Sequence, residues 1–295
     1  MSTKIEWTNQ TWNPVVGCTK YSEGCINCYA EKMHKRLSAM GHKKYKFPFN
    51  NVLFHYDELN KHFGQKRKMI FVNSMSDLFH QRISLEQISK VLEVCKNNQQ
   101  HIFQILTKRP ERLSAFSYPP NVWLGVTVEH PKYKNRIEYL KNTNAKIKFL
   151  SCEPLLADLG ELDLRGIDWV IAGGESGSKA RPMHPDWIRN IQKQCREQNI
   201  PFFFKQWGEW VIAKQKPPFK IENPIYSKLS SKIMLNNGII IDGIFPNDVK
   251  KWEKQTGSSI DNKNAVIILK AGKAKSGALL DGKEYKEFPV IIEAE

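Results

Sequence analysis

The 295-residue sequence has no apolar run approaching the length of about 20 residues that a membrane-spanning helix needs. Its polar start, Met1 to Trp12, lacks the apolar core of a signal peptide. It also lacks the paired acidic motifs that would place two metal ions in a hydrolytic nuclease. These absences argue against a membrane protein and a metal-dependent nuclease, and they predict a soluble, cytoplasmic chain.

Acidic residues are scarce relative to basic ones. The chain has 30 Asp and Glu against 45 Lys and Arg, a formal net charge of +15, and residues 1–68 hold 12 basic and 5 acidic residues. A basic excess of this size favours a polyanionic partner such as a nucleic acid. A lysine-rich genome would leave the same composition, so charge alone does not identify the partner.

Cysteines are few and unevenly spaced. Cys18, Cys25 and Cys28 fall within eleven residues, whereas the other three are scattered at positions 95, 152 and 195. Clustered cysteines in a cytoplasmic chain indicate metal binding rather than disulfides.

Short apolar segments alternate with helical patterns over the first two thirds of the chain. Helices are predicted over Ser84 to Asn97, with Gln87 completing a capping box, and over Pro185 to Gln198. The predicted strands are Ile70 to Val72, Ile102 to Leu106, Trp123 to Val126, Ile147 to Leu150, Trp169 to Ala172 and Phe202 to Phe204, with a first strand near Pro14-Val15-Val16. Apolar strands between helices indicate a parallel sheet. We therefore predict an α/β fold, a full or partial TIM-like β/α barrel of six to seven parallel strands.

The composition changes after Trp210. Residues 211–295 carry prolines, lysines and short β-like runs such as Ile239 to Ile241 and Ala265 to Leu269. We predict that residues 1–210 form the barrel and that residues 211–295 form a small C-terminal appended region.

Polar clusters directly follow the predicted strands, where the loops of such folds carry the chemistry. They are Asn73 to Asp77, Thr107 to Arg109, Thr127 to Glu129, Ser151 to Glu153 and Gly173 to Ser176. The carboxyl ends of parallel strands converge on one mouth, so we expect one pocket there.

The cysteine cluster reads Cys18-x6-Cys25-x2-Cys28-Tyr29. Thiolates suit both zinc and iron–sulfur clusters. A structural zinc site usually takes four ligands, and His34 is a candidate fourth at a helical distance from Cys28. Three cysteines without an obvious fourth favour a [4Fe–4S] cluster with one open iron. Zinc remains the alternative on these residues.

With these motifs the chain resembles the radical S-adenosylmethionine superfamily. In that superfamily three residues usually separate the first two cysteines of the motif, whereas six separate Cys18 from Cys25 here. The Cys28-Tyr29 pair, the segment Ser74 to Phe79 and the segment Leu106 to Arg109 are similar to motifs of its spore photoproduct lyase-like branch. Over nearly its whole length the chain most resembles a phage-associated three-cysteine-motif family. The matching segments are Glu6 to Thr8, Trp12 to Pro14, Gly173 to Gly177 and Phe204 to Trp210.

The resemblance implies an enzyme in which Cys18, Cys25 and Cys28 bind the cluster and S-adenosylmethionine yields a 5′-deoxyadenosyl radical. The cofactor contacts that it implies are Ser74, Ser76, Asp77, Thr107, Lys108, Glu129 and Glu175, and possible substrate contacts are Arg181, Lys205, Gln206 and Trp207. The expected substrate is a nucleic acid or nucleotide that is modified or repaired. An external electron donor is expected, and a partner protein is possible. The alternative is a non-catalytic iron–sulfur or zinc protein that binds nucleic acid.

Overall fold

A seven-stranded parallel sheet organises the chain. The computed structural model describes residues 3, 5–212, 215–216, 220–221, 231–242, 246–257, 260 and 265–290. The strands are β1 (Gln10–Trp12), β2 (Met69–Val72), β3 (Ile102–Thr107), β4 (Val122–Thr127), β5 (Ile147–Cys152), β6 (Trp169–Gly173) and β7 (Phe202–Gln206). They lie side by side in chain order, each parallel to the next, and form a curled half-barrel. The predicted partial α/β barrel is confirmed.

The central strands are buried on both faces, which explains their continuous apolar sequences. Every residue of β4 and β6 is buried, as expected for a parallel sheet covered on both sides. One face packs against the helices, and the other carries the aromatic cluster of Trp7, Trp123, Phe149, Trp169 and Phe203.

The helices lie between the strands, with boundaries set by recognisable caps. The longer ones in this part of the chain are α1 (Tyr29–Ala39), α2 (Leu85–Lys96), α3 (Arg136–Lys141) and α4 (Pro185–Glu197). The Ser84 hydroxyl accepts from the Gln87 N–H at 3.1 Å, and the Gln87 side chain accepts from the Ser84 N–H at 3.0 Å. This capping box was predicted, and α4 begins at Pro185 as predicted.

The predicted position of the first strand is wrong. The first barrel strand is Gln10–Trp12, whereas Val15–Val16 pairs antiparallel with Leu53–Phe54 outside the barrel sheet. Pro14 has no N–H for a ladder, and the Val15 N–H is bonded to the Asn73 side chain instead. The alternation of strands and helices is interrupted once, where residues 153–168 form an irregular connection between β5 and β6.

The C-terminal region forms a second, antiparallel sheet. Its strands are β8 (Trp210–Ile212), β9 (Ser231–Leu235), β10 (Ile240–Asp242) and β11 (Ala265–Lys270), in the order β8-β11-β9-β10. The helices of this region are α5 (Pro246–Thr256) and the single-turn α6 (Lys273–Ser276). Shorter two-residue pairings join Gln215–Lys216 to Lys220–Ile221 and Leu279–Leu280 to Lys283–Glu284. The two predicted β-like runs are therefore strands. The division of the chain at residue 210 stays a prediction.

The end of the described chain returns to the barrel. The Phe204 N–H donates to the Tyr285 carbonyl at 2.8 Å, and the Trp169 indole donates to the Glu287 carbonyl at 2.8 Å. Phe203 and Lys286 form an antiparallel bridge. This segment covers the outer edge of β7, which would otherwise present unpaired backbone groups.

No described helix has both the length and the apolar character that crossing a bilayer requires.

Candidate active site at the carboxyl ends of the strands

The three clustered cysteines lie on one loop at the carboxyl end of the sheet. Cys18 follows Gly17, which bridges to Ser76 after β2. Cys25 ends a short 3-10 helix that begins at Glu23, and Cys28 is the N-cap residue of α1. All three side chains are half-buried thiols without disulfides. The remaining cysteines are fully buried in the core, on α2, β5 and α4.

The electrostatic surroundings of the thiols differ. Burial raises the pKa of Cys18 to about 12, with the Asp77 charge adding to the rise and the Arg109 charge opposing it. Burial also raises the pKa of Cys28, and the N–H groups of Glu31 and Ala30 at the start of α1 oppose that rise. The charge of Cys25 contributes to the raised pKa of both neighbours. Cys25 therefore lies within electrostatic range of both Cys18 and Cys28.

The donor set fits a group that binds thiolates, because a coordinating cation deprotonates a thiol outright. Within the part of the chain that the structure describes, no three Cys, His, Asp or Glu side chains are already arranged to bind a metal ion. The fit therefore rests on three neighbouring thiols of one loop, not on preset ligand distances.

The predicted cofactor contacts after β2 and β3 do come together. The Asp77 carboxylate accepts from the Thr107 hydroxyl at 2.7 Å and from the Lys108 N–H at 3.1 Å. The Ser76 hydroxyl donates to the Val15 carbonyl at 2.8 Å, and that of Ser74 donates to the Asn13 side chain at 3.2 Å. These side chains tie the strand ends to one another. Of this predicted set, the half-buried Lys108 side chain has no hydrogen bond or ion pair within the described chain, and its charge lowers the pKa of Cys28.

Glu129, predicted to contact the cofactor, lies beneath the cysteine loop and is fully buried. Its carboxylate accepts from Arg136 Nη1 at 2.8 Å and from the Ser22 hydroxyl. A Cβ at Gly24 would stand 2.9 Å from Glu129 Oε1, so glycine permits this close approach. Glu129 thus fixes the turn that leads to Cys25.

Glu175 anchors the same loop from the end of β6. Its carboxylate accepts from the Asn27 amide at 2.9 Å and from Arg181 Nε and Nη2 at 2.9 and 2.6 Å. Arg181 also donates to the Glu23 carbonyl at 3.0 Å. Both residues were predicted site residues, and the structure brings them to the cysteine loop as a pair.

The sequence alone does not identify the two arginines whose guanidinium groups hold the cysteine loop and its surroundings in place. Arg109 donates to the Thr19 carbonyl at 2.9 Å, and its guanidinium lies 4.5 Å from the Tyr21 ring centroid. The Arg136 guanidinium lies 4.1 Å from the Tyr133 ring centroid. Arg109 belonged to a noted motif, but nothing in the sequence marks Arg136 as the partner of Glu129.

Two of the predicted substrate residues near β7 already have partners. Trp207 is buried in the main core with its neighbour Trp210, and their indoles donate to the carbonyls of Leu279 and Ala180 at 2.9 and 2.8 Å. Stacking of a substrate base on the Trp207 ring is therefore not favoured. Lys205 forms an ion pair with Glu153 at 2.6 Å.

Four buried polar atoms at this end of the sheet have no hydrogen-bond partner among the described residues. They are Asn73 Nδ2 after β2, Arg109 Nε after β3, Arg136 Nη2 beside Glu129, and Gln206 Oε1 at the end of β7. Gln206 also donates to the Ser176 hydroxyl at 2.9 Å. Buried polar atoms are normally paired, so three donors and one acceptor are available to water or to a polar ligand at this mouth.

The Glu175–Arg181 pair predicts a pH-dependent contribution to stability. Burial raises the pKa of Glu175, but the hydrogen bonds from Arg181 and Asn27 outweigh it and lower the pKa overall. Its stabilisation is therefore fully present above the unfolded value near 4.5 and is lost as the pH falls through the folded value. We expect Glu175→Gln to lower the free energy of unfolding at pH 7 by about 1.5–3 kcal/mol, and by clearly less at pH 3.

Urea unfolding at the two pH values measures this effect. Glu86→Gln is the control, because that carboxylate forms only an exposed pair with Lys90 and should change stability little. An equal loss at pH 7 and pH 3 for Glu175→Gln would contradict the assignment.

Comparison with known proteins gives one family and one group of solved structures. The model of the family described as "Protein of unknown function (DUF5131)" matches residues 2–289. No curated protein matches the sequence. A mutant of spore photoproduct lyase is similar at 12% identity, with a TM-score of 0.40 over 87% of this chain and 74% of its own. Spore photoproduct lyase complexed with dinucleoside spore photoproduct is similar at 11% identity, with a TM-score of 0.36 over 82% and 70%. A double mutant of spore photoproduct lyase with bound AdoMet and dinucleoside spore photoproduct is similar at 11% identity. Its TM-score is 0.37 over 84% of this chain and 72% of its own.

Proposed function

The chain belongs to the DUF5131 family, and we propose that it is a radical S-adenosylmethionine enzyme whose cluster is bound by Cys18, Cys25 and Cys28. One observation carries the proposal. Three half-buried, unpaired thiols share one loop at the mouth of a parallel half-barrel, while the other three cysteines are buried in the core. Reactive groups in such folds lie at the carboxyl ends of the strands.

The number of ligands favours a [4Fe–4S] cluster over zinc. A closed zinc site needs a fourth ligand, for which His34 was the candidate. Its Nε2 donates to the Phe47 carbonyl at 2.7 Å, and its ring packs edge-on against Tyr45 and Phe49. His34 is thus engaged in packing, and three thiolates leave one iron of a cluster open for the cofactor.

When bound, the reduced cluster and S-adenosylmethionine supply a 5′-deoxyadenosyl radical, and the protein supplies positioning and exclusion of water. We assign Lys108 to the cofactor carboxylate, because its ammonium lies near Cys28 without an ion pair in the described chain. The unpaired atoms of Asn73, Arg136 and Gln206 offer further polar contacts.

The other predicted cofactor residues act mainly as supports in this proposal. Asp77 and Thr107 lock two strand ends together, and Glu129 and Glu175 hold the cysteine loop against the mouth. Ser74 and Ser76 donate to neighbouring loop groups. Fixed supports of this kind keep ligands in place when the bound group changes charge.

The substrate class that we propose is a nucleic acid or nucleotide, which the enzyme modifies or repairs. The support is the excess of 12 basic over 5 acidic residues in residues 1–68, the segment that carries the cysteine loop. An external electron donor is required to reduce the cluster. We place the enzyme in the cytoplasm, because that reducing compartment keeps the thiols of a protein free of disulfides.

The test is anaerobic reconstitution followed by electron paramagnetic resonance before and after S-adenosylmethionine is added. We expect the cluster signal to change on addition, and dithionite reduction to yield 5′-deoxyadenosine. Lys108→Ala is expected to raise the concentration of S-adenosylmethionine needed for the spectral change without lowering iron content. A cluster whose signal ignores S-adenosylmethionine, with no 5′-deoxyadenosine formed, would instead indicate a non-catalytic iron–sulfur protein.

A further inference from the structure

A groove with a volume of about 730 Å³ opens beside Cys18 and Thr19 on the cysteine loop. One wall is formed by helix α1 and another by residues 46–50. Lys20 also lines the groove, and Lys35 and Lys46 belong to the two walls. We call this feature the lysine groove. Its lining includes one of the three proposed cluster ligands.

The walls of the lysine groove are held together by packing. A small core of Val16, Ala30, Tyr45 and Met75 lies beneath α1 and the loop that follows it. The hydrogen bond from His34 to the Phe47 carbonyl joins the two walls directly. The shape of the groove is therefore built into the fold of residues 16–50.

The charge of the lysine groove is positive. Its three lysines are exposed, and Glu31 is its one acidic lining residue. Glu31 pairs with Lys35 at 2.9 Å, and the hydrogen bond from Lys35 lowers the pKa of the carboxyl group, so it stays ionised. The lining still carries two net positive charges. Residues 16–50 as a whole hold seven basic and two acidic residues.

An aromatic ring stands beside these charges. The Phe47 side chain lines the groove, and the residue is 43% exposed. The Lys46 ammonium lies 4.8 Å from its ring centroid. Alternating positive charge and an exposed ring is the arrangement with which proteins bind single strands, the charge contacting phosphates and the ring stacking a base.

We propose that the lysine groove binds a single strand of nucleic acid and leads it to the cluster at Cys18. The volume of about 730 Å³ accommodates a short stretch of one strand, and the exposed Phe47 ring favours a single strand, because a ring can stack on an unpaired base but not on one inside a duplex. The inference rests on the proposed function and deepens it, because it assigns the strand to a defined path into the site.

The test compares two triple variants of equal charge. Lys20, Lys35 and Lys46 are replaced by Gln in the groove variant, and Lys96, Lys193 and Lys254 are replaced by Gln in the control variant. The control lysines are exposed helix residues that do not line the groove. Binding of fluorescent single-stranded DNA and RNA oligonucleotides is measured at several salt concentrations.

We expect the groove variant to reduce the magnitude of the log–log salt slope on single strands by about 1.4–2, since each phosphate contact contributes about 0.7 and Lys35 also pairs with Glu31. The control variant should leave the slope close to that of the wild type. Phe47→Ala should weaken binding about 5- to 150-fold at an unchanged slope, because it removes stacking and no charge. Circular dichroism checks that every variant is folded.

Three outcomes would overturn the inference: equal slopes for the two triple variants, no strand binding by the wild type at low salt, or tighter binding of a duplex than of its single strands. Binding needs no cluster, and cluster content is measured separately by iron analysis. If the protein binds oligonucleotides normally but assembles no cluster, the result contradicts the proposed function and not the groove. If it assembles a normal cluster but binds no oligonucleotide, the result contradicts the role of the groove and not the cluster assignment.

Discussion

Replacing Cys18, Cys25 or Cys28 by alanine is expected to abolish the reconstituted cluster. Each substitution removes one of three thiols on a loop that has no fourth. Iron content should fall from about four atoms per chain to less than one, and the brown thiolate-to-iron absorption should disappear. Iron analysis and absorption spectra after anaerobic reconstitution measure this directly.

The matched controls are the other cysteines. Cys95 is fully buried on α2 and Cys195 almost fully on α4, and burial raises the pKa of both thiols. Alanine at either position should lower stability modestly and leave iron content unchanged. Loss of the chromophore in a folded Cys195→Ala variant, or its retention in Cys18→Ala, would contradict the ligand assignment. One zinc ion per chain in place of iron would indicate that these cysteines form a zinc site rather than an iron–sulfur cluster.

The central barrel strands were predictable because burial on both faces leaves a local signature. Ile147 and Trp169 begin their strands where the apolar runs begin. The first strand has no such signature. Gln10–Trp12 is three residues long, and it lies in the sheet because Trp12 packs against Phe63 and Phe103 and donates to the Glu58 carbonyl. The apolar pair Val15–Val16 gave the stronger local signal and was misleading.

The sequence predicts where the candidate site lies, but it does not predict which hydrogen-bond partner each of its side chains has. Topology alone brings Asp77, Thr107 and Glu129 to one mouth, because parallel strands end at the same edge. Which partner each side chain takes depends on contacts far apart in the chain. Ser22 reaches Glu129 across 107 positions, and Asn27 reaches Glu175 across 148. No local pattern encodes such distances.

Removing the Glu129 carboxylate is expected to have the largest effect on stability. Glu129 is fully buried, and the side chain of its partner Arg136 is 3% exposed. Glu129→Leu leaves a buried guanidinium without its counter-ion. We expect the free energy of unfolding to fall by about 3–5 kcal/mol, measured by urea denaturation at neutral pH.

A double-mutant cycle separates the ion pair from the rest of the network. Arg136→Met in the Glu129→Leu background removes the uncompensated charge, and apolar replacements of a whole buried pair are often neutral or stabilising. The double variant should therefore regain much of the lost stability, giving a large coupling energy. Ser22→Ala removes the hydroxyl that donates to the same carboxylate and that also lies 3.8 Å from Cys25 Sγ, and about 1.5–3 kcal/mol is expected for it.

The rate at which the protein loses iron shows whether Glu129 supports the cysteine loop or contacts the cofactor. If Glu129 acts by holding the turn before Cys25, the double variant should be stable yet lose iron to a chelator faster than the wild type, because the Ser22 bond is also gone. Ser22→Ala should share that faster loss. If Glu129 instead contacts the cofactor, Glu129→Gln would weaken the response to S-adenosylmethionine, while Ser22→Ala would retain iron at the wild-type rate. That second pattern would contradict the supporting role and return Glu129 to the cofactor site.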